Sequence, residues 1–274
     1  MNGIAAALLA LALACVAHGA QAQGGRYVSM GSSYAAGPGV GVPDKASGGC
    51  GRSMSNYART VAQRHGFDLV DVACSGATTD NILEQGQHGF PAQVEAVTRD
   101  TRLVSVLIGG NDIEYVGNLF GLSCRAAGKA ACKITGEADV ERRLAALPEK
   151  LDRVVAEVRR RAPAARIVLV GYLPAEPAGG ATCAALAMTD ADARRMRDTS
   201  ARLARVFEDT ARRNGIDLVR AAALAAGHDA CSADAYVTGR QPAQVPGWPE
   251  PVAYHPTQAG MDRVAAAFDA ILER

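Results

Sequence analysis

The chain has 274 residues, 49% of them hydrophobic and 21% charged, with 29 basic against 28 acidic residues and a formal charge of +1. These proportions are ordinary for a globular protein and exclude a disordered chain, a collagen-like repeat and a multi-span membrane protein. The balanced charge leaves no electrostatic footprint for nucleic acid, so no such partner is expected.

Residues 1–22 contain no Asp, Glu, Lys or Arg, carry an Ala/Leu run from Ile4 to Ala14 and end in Ala20-Gln21-Ala22. This is the pattern of a secretory signal peptide cleaved after Ala22. The apolar run is shorter than the roughly 20 residues a membrane span needs. Removing 22 residues from 274 leaves 252, expected to form a single domain over 23–274 of an exported monomer with no transmembrane segment.

In the mature chain, Arg26–Met30 reads as a first strand, followed by a Gly-rich loop. Helical spacing runs from Ser53 to His65, and Asp68–Ala73 forms a second strand. Leu103–Ile108 is a continuous β-rich apolar run, as a central parallel strand buried on both faces requires. From Val140, apolar residues recur at Leu144, Leu147, Leu151, Val154, Val155 and Val158, a helical stripe that Pro148 is expected to kink or divide. Arg166–Val170 is a fourth strand. A helix over Asp190–Asn214 stops at Gly215, and Asp217–Val219 is a short fifth strand. A last helix spans Thr257–Leu272, with Pro256 in its first turn. Stretches 37–52, 117–136, 174–189 and 228–252 read as irregular. Strand–helix alternation of this kind predicts a three-layer α/β/α fold around a mostly parallel five-stranded sheet, with ligands bound beyond the carboxyl ends of the strands.

Six cysteines remain after cleavage: Cys50, Cys74, Cys124, Cys132, Cys183 and Cys231. An even number in an exported chain implies three structural disulfides, although six cysteines allow 15 connectivities. None stands in a C-x-x-C pair, so neither a metal site nor a cofactor is expected.

Four segments carry residues suited to catalysis. Gly31-Ser32-Ser33 follows the first strand, where a hydroxyl can reach the sheet's carboxyl edge. Cys74-Ser75-Gly76 follows the second, and Gly76 permits close backbone approach to a ligand. Gly109-Gly110-Asn111-Asp112 follows the most apolar strand, and the Asn111 amide is a neutral donor for a developing oxyanion. His255, at the start of the last helix, is disfavoured as a cation by the helix dipole and is thereby suited to act as a base. Taken singly, each is an ordinary turn or cap.

Together, in this order and at these strand ends, they resemble the SGNH (GDSL-type) hydrolase family over nearly the whole mature chain. Gly31-Ser32-Ser33 is similar to the first block, Gly-Asp-Ser, with Ser32 in place of Asp. Gly76 matches the second-block glycine, Gly109-Gly110-Asn111-Asp112 the third block, Gly-x-Asn-Asp, and His255 the last-block histidine. The resemblance implies Ser33 as nucleophile, His255 as base, and an oxyanion hole of the Ser33 N–H, the Gly76 N–H and the Asn111 side chain. Cysteine placement resembles the secreted esterase and lipase branch, implying the sequential pairs 50–74, 124–132 and 183–231.

One departure concerns the triad. The family's last block reads Asp-x-x-His, and the residue three before His255 is Val252. Some relatives use a main-chain carbonyl instead, so the Val252 carbonyl is expected to orient His255, with Glu250 and Asp234 as alternative acids. The implied function is a secreted serine esterase or lipase acting on a small-molecule or lipid ester through an acyl-enzyme. The alternative is a catalytically weak or inactive relative that binds a glycan or lipid.

Overall fold

In the computed structural model, which describes residues 24–179 and 182–274, the five apolar runs form strands β1 (Gly25–Gly31), β2 (Phe67–Asp71), β3 (Thr101–Leu107), β4 (Arg166–Val170) and β5 (Asp217–Val219). The expected signal peptide lies outside the described residues. All the pairings are parallel, in the order β2-β1-β3-β4-β5. β3 sits at the centre because its side chains are apolar in both directions: Leu103, Val104, Val106 and Leu107 are all buried.

Eight α-helices are described: α1 (Ser33–Ala36), α2 (Tyr57–His65), α3 (Thr79–Leu83), α4 (Tyr115–Ala126), α5 (Glu137–Arg161), α6 (Asp190–Asn214), α7 (Ala221–Leu224) and α8 (Gln258–Leu272). Two groups, α2 with α8 and α5 with α3 and α6, complete the layers about the sheet. One continuous apolar core runs through them. The cysteines pair in sequence as Cys50–Cys74, Cys124–Cys132 and Cys183–Cys231, each tying down a loop.

Several boundaries differ from the sequence reading. α2 begins at Tyr57, because Asn56 caps it by accepting the Arg59 N–H, while the Ser53 hydroxyl is drawn to the Val40 carbonyl. α4 occupies part of the stretch expected to be irregular. α5 runs through Pro148 as one helix; the buried Leu144, Leu147 and Leu151 on either side anchor it to the core. α8 starts after Thr257, whose hydroxyl accepts the Gly260 N–H. Pro256 therefore precedes the cap and pairs instead with Val237 in an antiparallel bridge.

The strand order places a switch point between β1 and β3. From β1 the chain moves outward to edge strand β2, then returns to lay β3 on the other side of β1. Loops leaving the carboxyl ends of β1 and β3 diverge there and open a crevice between them. Ser33 lies just beyond one end and Asn111 just beyond the other.

Candidate active site

The backbone at the end of β1 is built for close approach. At Gly31 (φ 154°) a Cβ would lie 2.4 Å from the Leu107 carbonyl oxygen, so only glycine fits. The Gln93 side chain takes both polar groups of this residue, accepting its N–H (2.7 Å) and donating to its carbonyl (3.0 Å). The chain then turns into the single turn of α1, which presents the Ser33 hydroxyl. Ser33 Oγ lies 2.8 Å from Nε2 of His255, and both residues are buried.

Nδ1 of His255 lies 2.7 Å from the carbonyl oxygen of Ala253. A carbonyl only accepts, so Nδ1 carries the hydrogen, and Nε2 is left to accept the proton of Ser33. This corrects the expectation for Val252, whose carbonyl accepts the Thr238 hydroxyl at 2.9 Å. The physical reason lies in the left-handed backbone of Tyr254 (φ 57°), which turns the chain between the two carbonyls and the histidine. That conformation is held from outside: Tyr34 donates to the Tyr254 carbonyl (2.8 Å), and Tyr254 donates its own hydroxyl to Leu186 (2.7 Å). Neither alternative acid reaches the imidazole. Asp234 pairs with His228 at 2.9 Å, and Glu250 is exposed on a surface loop. Burial lowers the pKa of His255 below its ordinary value, and the bond to Ala253 opposes that shift only in part.

Two of the oxyanion candidates, Gly76 and Asn111, are held together by a clamp. Asn111 donates one amide hydrogen to the Ala77 carbonyl (2.8 Å), which sets it beside Gly76 and leaves its second hydrogen free of that bond. The N–H groups of Ser33 and Gly76 have no acceptor among the described residues. Asp112, next to Asn111, accepts the Thr79 hydroxyl (2.5 Å) and the Thr79 N–H (3.0 Å), joining the loop after β3 to that after β2. Lys150 approaches the same carboxylate at 3.3 Å.

Tyr172, just beyond β4, completes the floor. It accepts the Gly110 N–H at 2.9 Å and lies 3.2 Å from the hydroxyl of Ser32. A Cβ at Gly110 would fall 2.6 Å from the Tyr172 ring. Ser32, standing where the family pattern has Asp, thus enters a neutral hydrogen-bond chain. Trp248 donates to the Gly41 carbonyl (3.0 Å) and pins the loop that follows α1. Thr79, Gln93, Tyr172 and Thr238 escaped the sequence reading. Of these only Tyr172 left a signal, as a polar-tipped aromatic immediately after a strand.

Residues 29–263 match the model of the GDSL-like Lipase/Acylhydrolase family. Lipase 1 of Streptomyces coelicolor is 32% identical over 93% of this chain and 88% of its own length, and Lipase 2 of the same organism 31% identical over 97% and 94%. A lipase of Streptomyces rimosus is 36% identical over a shorter stretch, 53% of this chain and 52% of that one. Among solved structures, a phospholipase A1 from Streptomyces albidoflavus superposes with a TM-score of 0.71 at 28% identity, covering 90% of this chain and 98% of that one. Acetylxylan esterase Axe2 of Geobacillus stearothermophilus, at 18% identity and a TM-score of 0.52, shares the fold. With a family match over most of its length and lipase relatives along nearly all of it, this chain belongs to the GDSL-like lipase/acylhydrolase family and is a carboxylic ester hydrolase.

Proposed function

We propose that the chain hydrolyses carboxylic esters through a Ser33–His255 dyad in which the Ala253 carbonyl does the orienting work of the usual carboxylate. The observation that carries this reading is the relay of two short contacts, Ser33 Oγ to His255 Nε2 and Nδ1 to Ala253. Ser33 attacks the ester carbonyl carbon while Nε2 takes its proton; the tetrahedral intermediate expels the alcohol, which leaves with that proton. Water, deprotonated by the same nitrogen, then releases the acid and restores Ser33. The free N–H groups of Ser33 and Gly76 and the anchored amide of Asn111 receive the oxyanion. A carbonyl fixes the tautomer as a carboxylate would, and gives up only the charge that would stabilise the imidazolium.

The alternative of an inactive binding protein rested on the missing Asp and on Ser32. The Nδ1 bond to Ala253 and the Ser32–Tyr172 contact give each departure a place in an intact site. Export after cleavage near Ala22 is part of the proposal: three disulfides suit an oxidising compartment, and a structural neighbour is an extracellular lipase of Streptomyces rimosus. No helix among the described residues is long and apolar enough to cross a membrane.

The test is an acyl-length series of chromogenic esters on the oxidised mature protein, with Ser33→Ala in parallel and a fluorophosphonate label. Turnover and labelling that both vanish in Ser33→Ala are expected. Hydrolysis by Ser33→Ala at the wild-type rate would overturn the assignment.

A further inference from the structure

A groove of about 410 Å³ lies along one face of α4, where Gly117, Phe120, Gly121 and Cys124 recur at three- and four-residue spacing. Lys129, on the loop closed by Cys124–Cys132, and Lys133, which directly follows that loop, stand over it together with Arg240. Arg240 lies 5.8 Å above the Phe120 ring, and both lysines are exposed. Glu114, the one carboxylate among the described lining residues, lies over Gly117 inside the groove, with Arg143 3.8 Å from it. Three cations thus face one groove against a single anion, which Arg143 approaches from the other side.

The wall of the groove packs against the segment that carries the imidazole. Phe120 meets the Tyr254 ring edge-on at 5.3 Å, and Tyr254 directly precedes His255. Arg240 follows Gly239, whose carbonyl accepts the Tyr254 N–H, and Thr238 donates its N–H to the His255 carbonyl. In a serine hydrolase the histidine hands its proton to the departing alcohol, so the alcohol portion of the ester occupies this side. The cavity near Gly76, on the oxyanion side, has a different character. It holds about 170 Å³ between the Cys50–Cys74 disulfide, Val72 and Phe90, and its one cation, Arg52, is already bonded to the Ala73 carbonyl.

We infer that Lys129, Lys133 and Arg240 form a subsite for an anionic, phosphate-bearing alcohol, so that esters of phosphorylated polyols, as in anionic glycerophospholipids, are preferred over neutral esters of the same acid. Cations converging on a phosphate contribute by charge and hydrogen bonding together, while Phe120 offers an apolar rest for the carbon chain between phosphate and ester. The inference rests on the dyad reading above and extends it to substrate class.

The test compares dihexanoyl phosphatidic acid with dihexanoylglycerol, both below their aggregation limits so that no lipid surface is present. Wild type should favour the phosphatidic acid in kcat/KM, and added salt should weaken that preference. In Lys129→Gln/Lys133→Gln, and separately in Arg240→Gln, the ratio between the two substrates should fall about two- to fivefold, the size expected when exposed cations are lost from a charged contact. Arg99→Glu, an exposed site before β3 at the far end of the sheet, controls for net charge and should keep the ratio. Equal rates on the two esters in wild type, or a ratio unmoved in the groove variants, would overturn the subsite while leaving the dyad reading intact. A preference seen only on vesicles would also overturn it, reassigning the lysines to surface attraction. Loss of Ser33-dependent turnover on both esters in wild type would overturn the dyad reading and the subsite with it.

Discussion

Replacing Asp112 by alanine tests the clamp that joins the two oxyanion loops. The carboxylate is 3% exposed and accepts two bonds from Thr79, which is itself fully buried. Removing it strands a buried hydroxyl and a buried N–H, each at about 1–3 kcal/mol. Lys150 is 37% exposed and can turn to water, so its ion pair adds little. The expected loss is about 3–5 kcal/mol, which for a chain of this size lowers Tm by roughly 10 °C or more. Because Asn111 is the next residue and is anchored to Ala77, kcat at 25 °C should fall about tenfold with little change in KM, as expected when a donor to the transition state is displaced. Asp112→Asn keeps the shape but turns a donor towards a donor, and should lie between the two. The assays are thermal unfolding of the oxidised protein and steady-state hydrolysis of a short-chain ester. An Asp112→Ala protein melting within two or three degrees of wild type would refute the burial arithmetic. A lowered Tm with unchanged kcat would refute the link from the clamp to the oxyanion donors.

Other outcomes follow from the same geometry. Asn111→Ala should lower kcat by about 100- to 1,000-fold while fluorophosphonate labelling of Ser33 persists at a reduced rate. Because burial lowers the His255 pKa, the acid limb of log kcat/KM should fall below pH 6.5, the ordinary value for histidine; a limb above it would contradict the neutral environment described. Glu176 is buried against the Tyr115 hydroxyl, and burial lifts its pKa to about 7 from an ordinary 4.5. The folded state therefore holds a proton that the unfolded state has released between those values, and stability should decline by about 3 kcal/mol as pH rises through that window. Glu176→Gln should not show that decline in denaturant titrations at pH 5 and pH 8. Thr238→Val removes the hydroxyl that accepts the His255 N–H and donates to Val252; kcat should fall with KM nearly unchanged, at a stability cost of about 1–3 kcal/mol.

The central strands were legible because burial on both faces leaves nearly continuous apolar runs, as in Leu103–Leu107, and no helical stripe competes there. α4 was not, since it starts straight after a Gly-rich turn, contains Gly117 and Gly121, and takes its stability from packing rather than propensity. Pro148 does not divide α5: a missing donor is a local cost, and the leucines around it are anchored by the rest of the core. Ser33, Gly76, Asn111 and His255 could be picked out because each closely follows a strand or opens a helix. The orienting carbonyl could not be placed to the residue. It depends on Tyr254, whose backbone is held by Tyr34 and Leu186, and contacts across such chain distances leave no trace in local spacing.

The disulfides bear on how the chain reaches this fold. Their partners are 24, 8 and 48 residues apart, and none encloses or crosses another. A chain emerging amino end first therefore presents each pair complete before the next begins, and an oxidant meeting the cysteines in order of appearance makes the native bonds without a later shuffle. Of these rings only Cys50–Cys74 lies within the roughly 70 residues between β1 and β3, and because closure entropy varies only logarithmically with loop length, shortening that stretch by a third lowers its cost by less than about 0.5 kcal/mol. The step that assembles the crevice is left mainly to the core, so oxidation can run to completion on a chain that has not yet built its active site.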